Sequence, residues 1–164
     1  LLSEPLETDG KLFFDPPDRL ARHVEKPGRS WLAVRDDQGV MRDATGEERF
    51  DLGRSDVARG LVDSLAVVLR GDLQVLNDRY EVTFRALESG WRIELTPRSR
   101  MLRSLIAFMA IDGVDSEIRR VEVREENGDR TVTELSSIET GVRLTEEECG
   151  EIFLLTPSPL ATHD

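Results

Sequence analysis

The sequence predicts a mainly β protein of the α+β class, a meandering antiparallel sheet, curved or partly closed, with helices on one face. Three observations point there. Apolar and polar residues alternate with period two through long stretches, each broken by a Gly-containing turn. Prolines punctuate the first thirty positions and argue against helix there. Helical spacing appears only in short segments.

In chain order, Leu6 to Phe14 and Ser30 to Arg35 read as strands, with Pro5, Pro16, Pro17 and Pro27 between and around them. Asp36-Asp37-Gln38-Gly39 turns the chain into Val40 to Asp43, and Arg49 to Leu52 adds a short strand. Ser55 is an N-cap for a helix carrying Val57, Leu61, Leu65 and Val68, which Gly71-Asp72 ends. Leu73 to Asp78 suggests a second short helix. Tyr80, Val82, Phe84 and Ala86 alternate with Glu81, Thr83 and Arg85. After Glu88-Ser89-Gly90 the alternation resumes as Trp91, Ile93 and Leu95 against Arg92, Glu94 and Thr96, a hairpin with one wet face.

Ile106 to Ile111 is nearly continuous apolar sequence, as in a strand covered on both sides, closed by Asp112-Gly113. Ile118, Val121 and Val123 lead through Glu126-Asn127-Gly128-Asp129 to Thr131–Ile138. Asn127-Gly128 favours the two positive φ angles of a type I′ turn. Thr145 with Glu148 fits a capping box for a last helix. Phe153 and Leu155 alternate before Pro157. The sum is about eight to ten strands in sequence order with about two or three helices inserted, read as one domain over residues 1–164.

Composition narrows the function. Acidic residues number 33 against 22 basic, for a formal net charge of −11. That field repels phosphate backbones and anionic membrane surfaces, so nucleic acid is not an expected partner. Cys149 has no second cysteine to pair with. No apolar run approaches the roughly 18 residues of a spanning helix. The chain starts at Leu1 without Met, so the lack of a visible signal peptide carries no weight.

Catalytic signatures are missing: no Gly-x-Ser-x-Gly elbow, no Gly-Lys-Ser/Thr phosphate loop, no Gly-x-Gly-x-x-Gly fingerprint. His163 lies near the chain end, and His23, among charged residues and prolines, reads as a surface residue. No metal-ligand spacing stands out, and no cofactor is expected. The expectation is a non-enzyme, with a Glu/Asp acid–base pair left open as a hydrolase reading. The apolar side of the sheet is the remaining candidate: Leu12, Phe14, Trp31, Phe50, Tyr80, Val82, Phe84, Trp91, Ile93, Leu95, Phe108 and Val123, facing helices that carry Leu61, Leu65 and Leu76. On patterning alone a plain filled core is the simpler reading. An incompletely filled face that admits a ligand is the other.

A resemblance shifts that balance. Ser3-Glu4-Pro5-Leu6, Gly10-Lys11-Leu12-Phe13-Phe14, Pro17-Asp18-Arg19-Leu20 and Pro27 resemble the opening of the LolA family of outer-membrane lipoprotein carriers. Leu69-Arg70-Gly71-Asp72, Tyr80-Glu81-Val82, Gly90-Trp91, Leu95-Thr96-Pro97-Arg98, Asn127-Gly128-Asp129-Arg130-Thr131 and Phe153-Leu154-Leu155-Thr156-Pro157 follow in the family's order. The resemblance implies an unclosed β-barrel whose helices lid an apolar cavity. It also implies a periplasmic, monomeric carrier that takes acylated lipoproteins or related lipids from an inner-membrane donor to an outer-membrane acceptor. On that reading the binding residues are Leu12, Phe14, Trp31, Phe50, Leu61, Leu65, Tyr80, Val82, Phe84, Trp91, Ile93, Leu95 and Phe108, with Met41, Met101 and Met109 adding adaptability. A lipid- or lipoprotein-sensing module on the same scaffold is the alternative. Two departures stand out: Pro16 occupies the place of a family Arg that latches the lid, leaving Arg19 as a substitute, and the family's N-terminal helix and first strand precede Leu1.

Overall fold

A computed structural model describes residues 5–54, 66–67 and 69–153. The chain forms two compact units, residues 1–70 with 143–164 and residues 71–142.

The first unit is built on five strands: β1 (Asp9–Asp15), β2 (Arg19–Lys26), β3 (Ser30–Arg35), β4 (Gln38–Asp43) and β5 (Gly46–Asp51). They pair antiparallel in sequence order. Register assigns the faces, because side chains alternate across a strand. One row runs Phe13, Ala21, Ala33, Val40. The next row on the opposite face runs Phe14, Leu20, Val34, Gly39, Phe50. Residues Leu52–Arg54 form a 3₁₀ turn, tied back by the Leu52 amide donating to the Asp37 carbonyl at 2.7 Å. Residues 66–67 and 69–70 are helical and end at Gly71, whose φ of 66° suits a glycine past a helix end.

The second unit opens with α1 (Leu73–Arg79), N-capped by Asp72, and continues through β6 (Tyr80–Leu87), β7 (Gly90–Pro97), α2 (Arg100–Arg103), β8 (Ile106–Val114), β9 (Glu117–Glu125) and β10 (Arg130–Glu134). These strands also pair antiparallel in order. Back in the first unit, α3 (Glu146–Ile152) carries the expected capping box: the Glu148 amide donates to Thr145 Oγ1 at 3.2 Å and the Thr145 amide to the Glu148 carboxylate at 2.7 Å.

The mainly β fold class and its sequence-ordered meander hold, but among the described residues hydrogen bonding divides ten strands into two sheets of five, neither closed on itself. β2 is an addition to the sequence reading: Leu20, Ala21 and Val24 are all buried, so both faces contribute and no clean alternation marks the strand. β8 runs on through Asp112-Gly113 to Val114, and Asp115, at φ 52°, makes the turn. At Asn127-Gly128 only Gly128 has positive φ. The connection is therefore a three-residue loop with the Glu125 amide donating to the Asp129 carbonyl at 2.9 Å, in place of the expected type I′ turn. The strand expected to extend to Ile138 ends at Glu134. The helix starting at Ser55, the packing of Leu61 and Leu65, and the strand expected through Leu155 lie outside the described residues.

Candidate functional site

In the second unit one sheet face is apolar across β6 to β9 and ends at Thr131 and Thr133 on β10. Its rows are Val82, Leu95, Met109 and Val123, then Phe84, Ile93, Ile111 and Val121, then Ala86, Trp91 and Gly113. Packing along it is uneven. Tyr80 and Leu95 are fully buried, and Met109 and Ile111 nearly so. Val82, Trp91 and Ile93 are half-buried, and Phe84 is 64% exposed. The face is thus filled core at one end and uncovered aromatic surface at the other. Trp91 is fixed within it: its indole Nε1 donates to the Asp115 carbonyl at 2.8 Å, and its ring occupies the space above Gly113.

The reverse face of the same sheet is charged. Arg92 meets Asp112 at 2.8 Å, Arg85 meets Glu94 at 3.2 Å, and Glu122 gathers Arg130 and Arg124 at 2.9 Å and Arg120 at 3.5 Å. Glu122 is only 3% exposed. Hydrogen bonds from Arg130 and then Arg124 hold its carboxyl at a pKa of about 2, outweighing the desolvation that opposes ionisation. A one-residue slip of any of these strands would carry charges onto the apolar side, so the ion pairs and the apolar rows specify one register together.

In the first unit the two faces differ in what covers them. The row Phe13, Ala21, Ala33, Val40 packs with Trp31, Leu144, Cys149, Ile152 and Phe153, so α3 sits on this face. Ala21 and Ala33 are small enough for a helix to approach the sheet closely. His23 Nε2 donates to the Ile152 carbonyl at 2.8 Å, with its ring 5.1 Å from that of Phe13 and 6.3 Å from that of Trp31. His23 is therefore half-buried beneath α3 and not the surface residue expected from its neighbours. The opposite face bears Leu12, Phe14, Leu32 and Phe50, all half-buried, and Met41, 42% exposed.

Of the residues expected to bind a ligand, Leu12, Phe14 and Phe50 share one face of the first sheet, while Trp31 stands on its other face under α3. Tyr80, Val82, Phe84, Trp91, Ile93 and Leu95 share the apolar face of the second sheet. Phe108 does not. It pairs with Arg124 on the charged face, whose guanidinium carbon lies 5.6 Å from its ring centre. The register is regular from Phe108 onward, so Phe108 shares its parity with Ala110 and Asp112, opposite Met109 and Ile111. Met109 and Ile111 belong to the apolar face, a placement the continuous apolar run concealed. Arg19, the substitute latch, meets Asp15 at 3.1 Å across its own hairpin.

A second feature of the LolA-like motifs has a structural role. Arg98, the basic residue after Leu95-Thr96-Pro97, donates through Nε to the carbonyls of Tyr80 at 2.9 Å and Asn77 at 3.0 Å. Its cation caps the C-terminal end of α1, where unpaired carbonyls favour positive charge. Among the described residues no three His, Cys, Asp or Glu side chains are placed to hold a metal ion. A shallow depression between β4 and β5 is lined by Met41, Asp43, Thr45, Gly46, Glu47 and Glu48, with three carboxylates around it.

The profile of the family described as outer membrane lipoprotein carrier protein LolA-like matches residues 1–149, which span both sheets. The chain belongs to the LolA-like family. No curated protein matches it. The LolA-like match agrees with the open antiparallel architecture, and no described helix is long and apolar enough to cross a membrane.

Proposed function

We propose that this chain is a binding protein without a catalytic step. On this reading it shields acyl chains of lipoproteins or related lipids in the periplasm and passes them from an inner-membrane donor to an outer-membrane acceptor. The observation that carries the reading is the apolar face of β6–β9, packed at Tyr80 and Leu95 yet ending in Phe84 at 64% exposure, with Val82, Trp91 and Ile93 half-covered. Hydrocarbon laid against such a face gains about 0.8 kcal/mol per buried methylene, so a chain of about sixteen carbons offers roughly 12 kcal/mol before ordering costs. An open face keeps that gain partial, which suits a cargo that must leave again. The Leu12, Phe14 and Phe50 face of the first sheet is the second candidate surface for the same chemistry.

Native mass spectrometry of gently purified protein, together with titration by a fluorescent fatty-acid analogue, tests the proposal. Retained lipid or saturable binding supports it. A chain that carries no lipid and leaves the probe's emission unchanged overturns it.

A further inference from the structure

β2 sets a cation in the middle of the apolar face of the first sheet. Along the strand Arg22 lies between Leu20 and Val24 on the same face, both buried. Across the sheet it pairs with Leu12 on β1 and Leu32 on β3, both half-buried. Ala21 and His23 beside it point the other way, toward α3, so alternation puts the Arg22 side chain on the face of Leu12 and Phe14.

Arg22 is exposed, and among the described residues it makes no ion pair; a terminal nitrogen of its guanidinium donates to Thr8 Oγ1 at 2.9 Å. The other arginines of β1–β5 each meet a carboxylate: Arg19 with Asp15, Arg35 with Asp36, and Arg42 and Arg49 with Glu47. In a chain of net charge −11, a strand arginine without a carboxylate is the exception. The carboxylates that alternation places on its own face of β2–β5 are Asp43 and Glu48. They stand two and three strands away, on β4 and β5, and Leu32 and Met41 separate Arg22 from Glu48.

A guanidinium binds a carboxylate or phosphate through a bidentate fork. One N–H spent on Thr8 leaves further donors for it. A small free anion would have a single exposed cation to hold it, a contact that salt screens. A neutral alkyl tail would gain nothing from the charge. Arg22 and its apolar surroundings act together only on a molecule that has both parts, a tail laid along Leu12, Phe14 and Leu32 and an anionic head on the guanidinium.

We propose that Arg22 is the headgroup anchor of a lipid site on the first sheet, selecting acyl lipids with a carboxylate or phosphate head over neutral ones. This rests on the carrier reading and deepens it by naming the chemical class of the cargo.

Titration of the full chain with a fluorescent fatty-acid analogue and with its methyl ester, which lacks the charge on the head, tests the anchor. The wild-type chain binds the acid about tenfold more tightly than the ester, the scale of one hydrogen bond to a charged group. Added salt narrows that ratio, and inorganic phosphate does not displace the acid, because it brings no tail. Arg22→Gln lowers affinity for the acid to that for the ester and leaves the ester's unchanged. Arg22→Lys keeps the charge without the fork and retains part of the preference. Circular dichroism melts matching wild type show that both variants are folded. Equal affinity of the wild-type chain for acid and ester, an unchanged preference in Arg22→Gln, or displacement of the acid by phosphate overturns the anchor and leaves the carrier reading standing. A wild-type chain that binds neither probe overturns both.

Discussion

Phe50 lies across Gly39, its partner in the β4–β5 register, and a side chain on Gly39 would fall inside the Phe50 ring. Trp91 stands in the same relation to Gly113 on β7 and β8. In each sheet a glycine gives up its own side-chain volume so that an aromatic ring can lie flat over the neighbouring strand, on the face proposed to receive lipid.

Gly39→Ala displaces the Phe50 ring, and Gly113→Ala meets both the Trp91 ring and the Glu117 carbonyl. Each is expected to lower stability by about 1–3 kcal/mol, as overpacked cores do, with Gly113→Ala the larger because backbone cannot swing aside. Gly28 has open space around its Cβ position, so Gly28→Ala is the control and stays within about 1 kcal/mol of wild type. Urea unfolding of the three variants checks the order.

Which of these relationships a sequence can disclose depends on parity. The β6–β7 hairpin was legible because Tyr80 to Ala86 and Trp91 to Leu95 alternate strictly, and the shared face of Val82, Phe84, Trp91 and Ile93 followed from that. Phe108 and Trp31 were not legible. Phe108 lies in a run that is apolar at both parities, so nothing in it marks which face is which, and Trp31 was grouped with Leu12 and Phe14 although strand parity puts it opposite them. His23 was misjudged for a related reason: β2 is buried on both faces, so its period-two signal vanishes and with it the clue that His23 shares a face with Ala21. The capping box of α3, a purely local pattern, was readable in full.

Glu122 makes stability depend on acid. Its folded pKa, about 2, lies below the ordinary carboxylate value of 4.5, because Arg130 and Arg124 bind the ionised form. The stabilisation is complete above about pH 4.5 and is lost as pH falls toward 2, since only the unfolded chain takes up the proton in that window. Glu122→Gln is expected to cost about 1–3 kcal/mol at neutral pH, the range for hydrogen bonds to charged groups. It also flattens the acid limb, so the wild-type and Gln curves converge at low pH. Thermal melts from pH 7 to 2 test this, and parallel curves would exclude Glu122 as the titrating group.

Phe84 separates lipid binding from folding. At 64% exposure it contributes little to the core, so Phe84→Gln leaves the melting temperature nearly unchanged. If its ring meets hydrocarbon, losing about 1.5–3 kcal/mol of burial weakens binding roughly ten- to hundredfold. Thr96→Gln, on the charged face of the same sheet, leaves binding intact. Titration with the fluorescent fatty-acid analogue distinguishes them, and equal affinities for the two variants would remove the β6–β7 face from the binding surface.

The docking of α3 offers a test through the chain's lone cysteine. A seven-residue helix is too short to persist alone in water, so α3 depends on its contacts with Ala21, Ala33 and Val40 and on the His23 hydrogen bond to Ile152. Ala21 is fully buried, and Ala21→Leu inserts volume where the helix must approach. Overpacking of about 1–3 kcal/mol there favours the undocked helix. His23→Ala removes the hydrogen bond and the ring contacts with Phe13 and Trp31, a loss of about 1 kcal/mol. Cys149, half-buried against the sheet, reports the outcome: its reaction with a maleimide quickens several-fold in His23→Ala and more in Ala21→Leu. Global unfolding followed by tryptophan emission under the same conditions shows whether the gain is local. A labelling rate equal to wild type in both variants would mean that neither residue holds α3 in place.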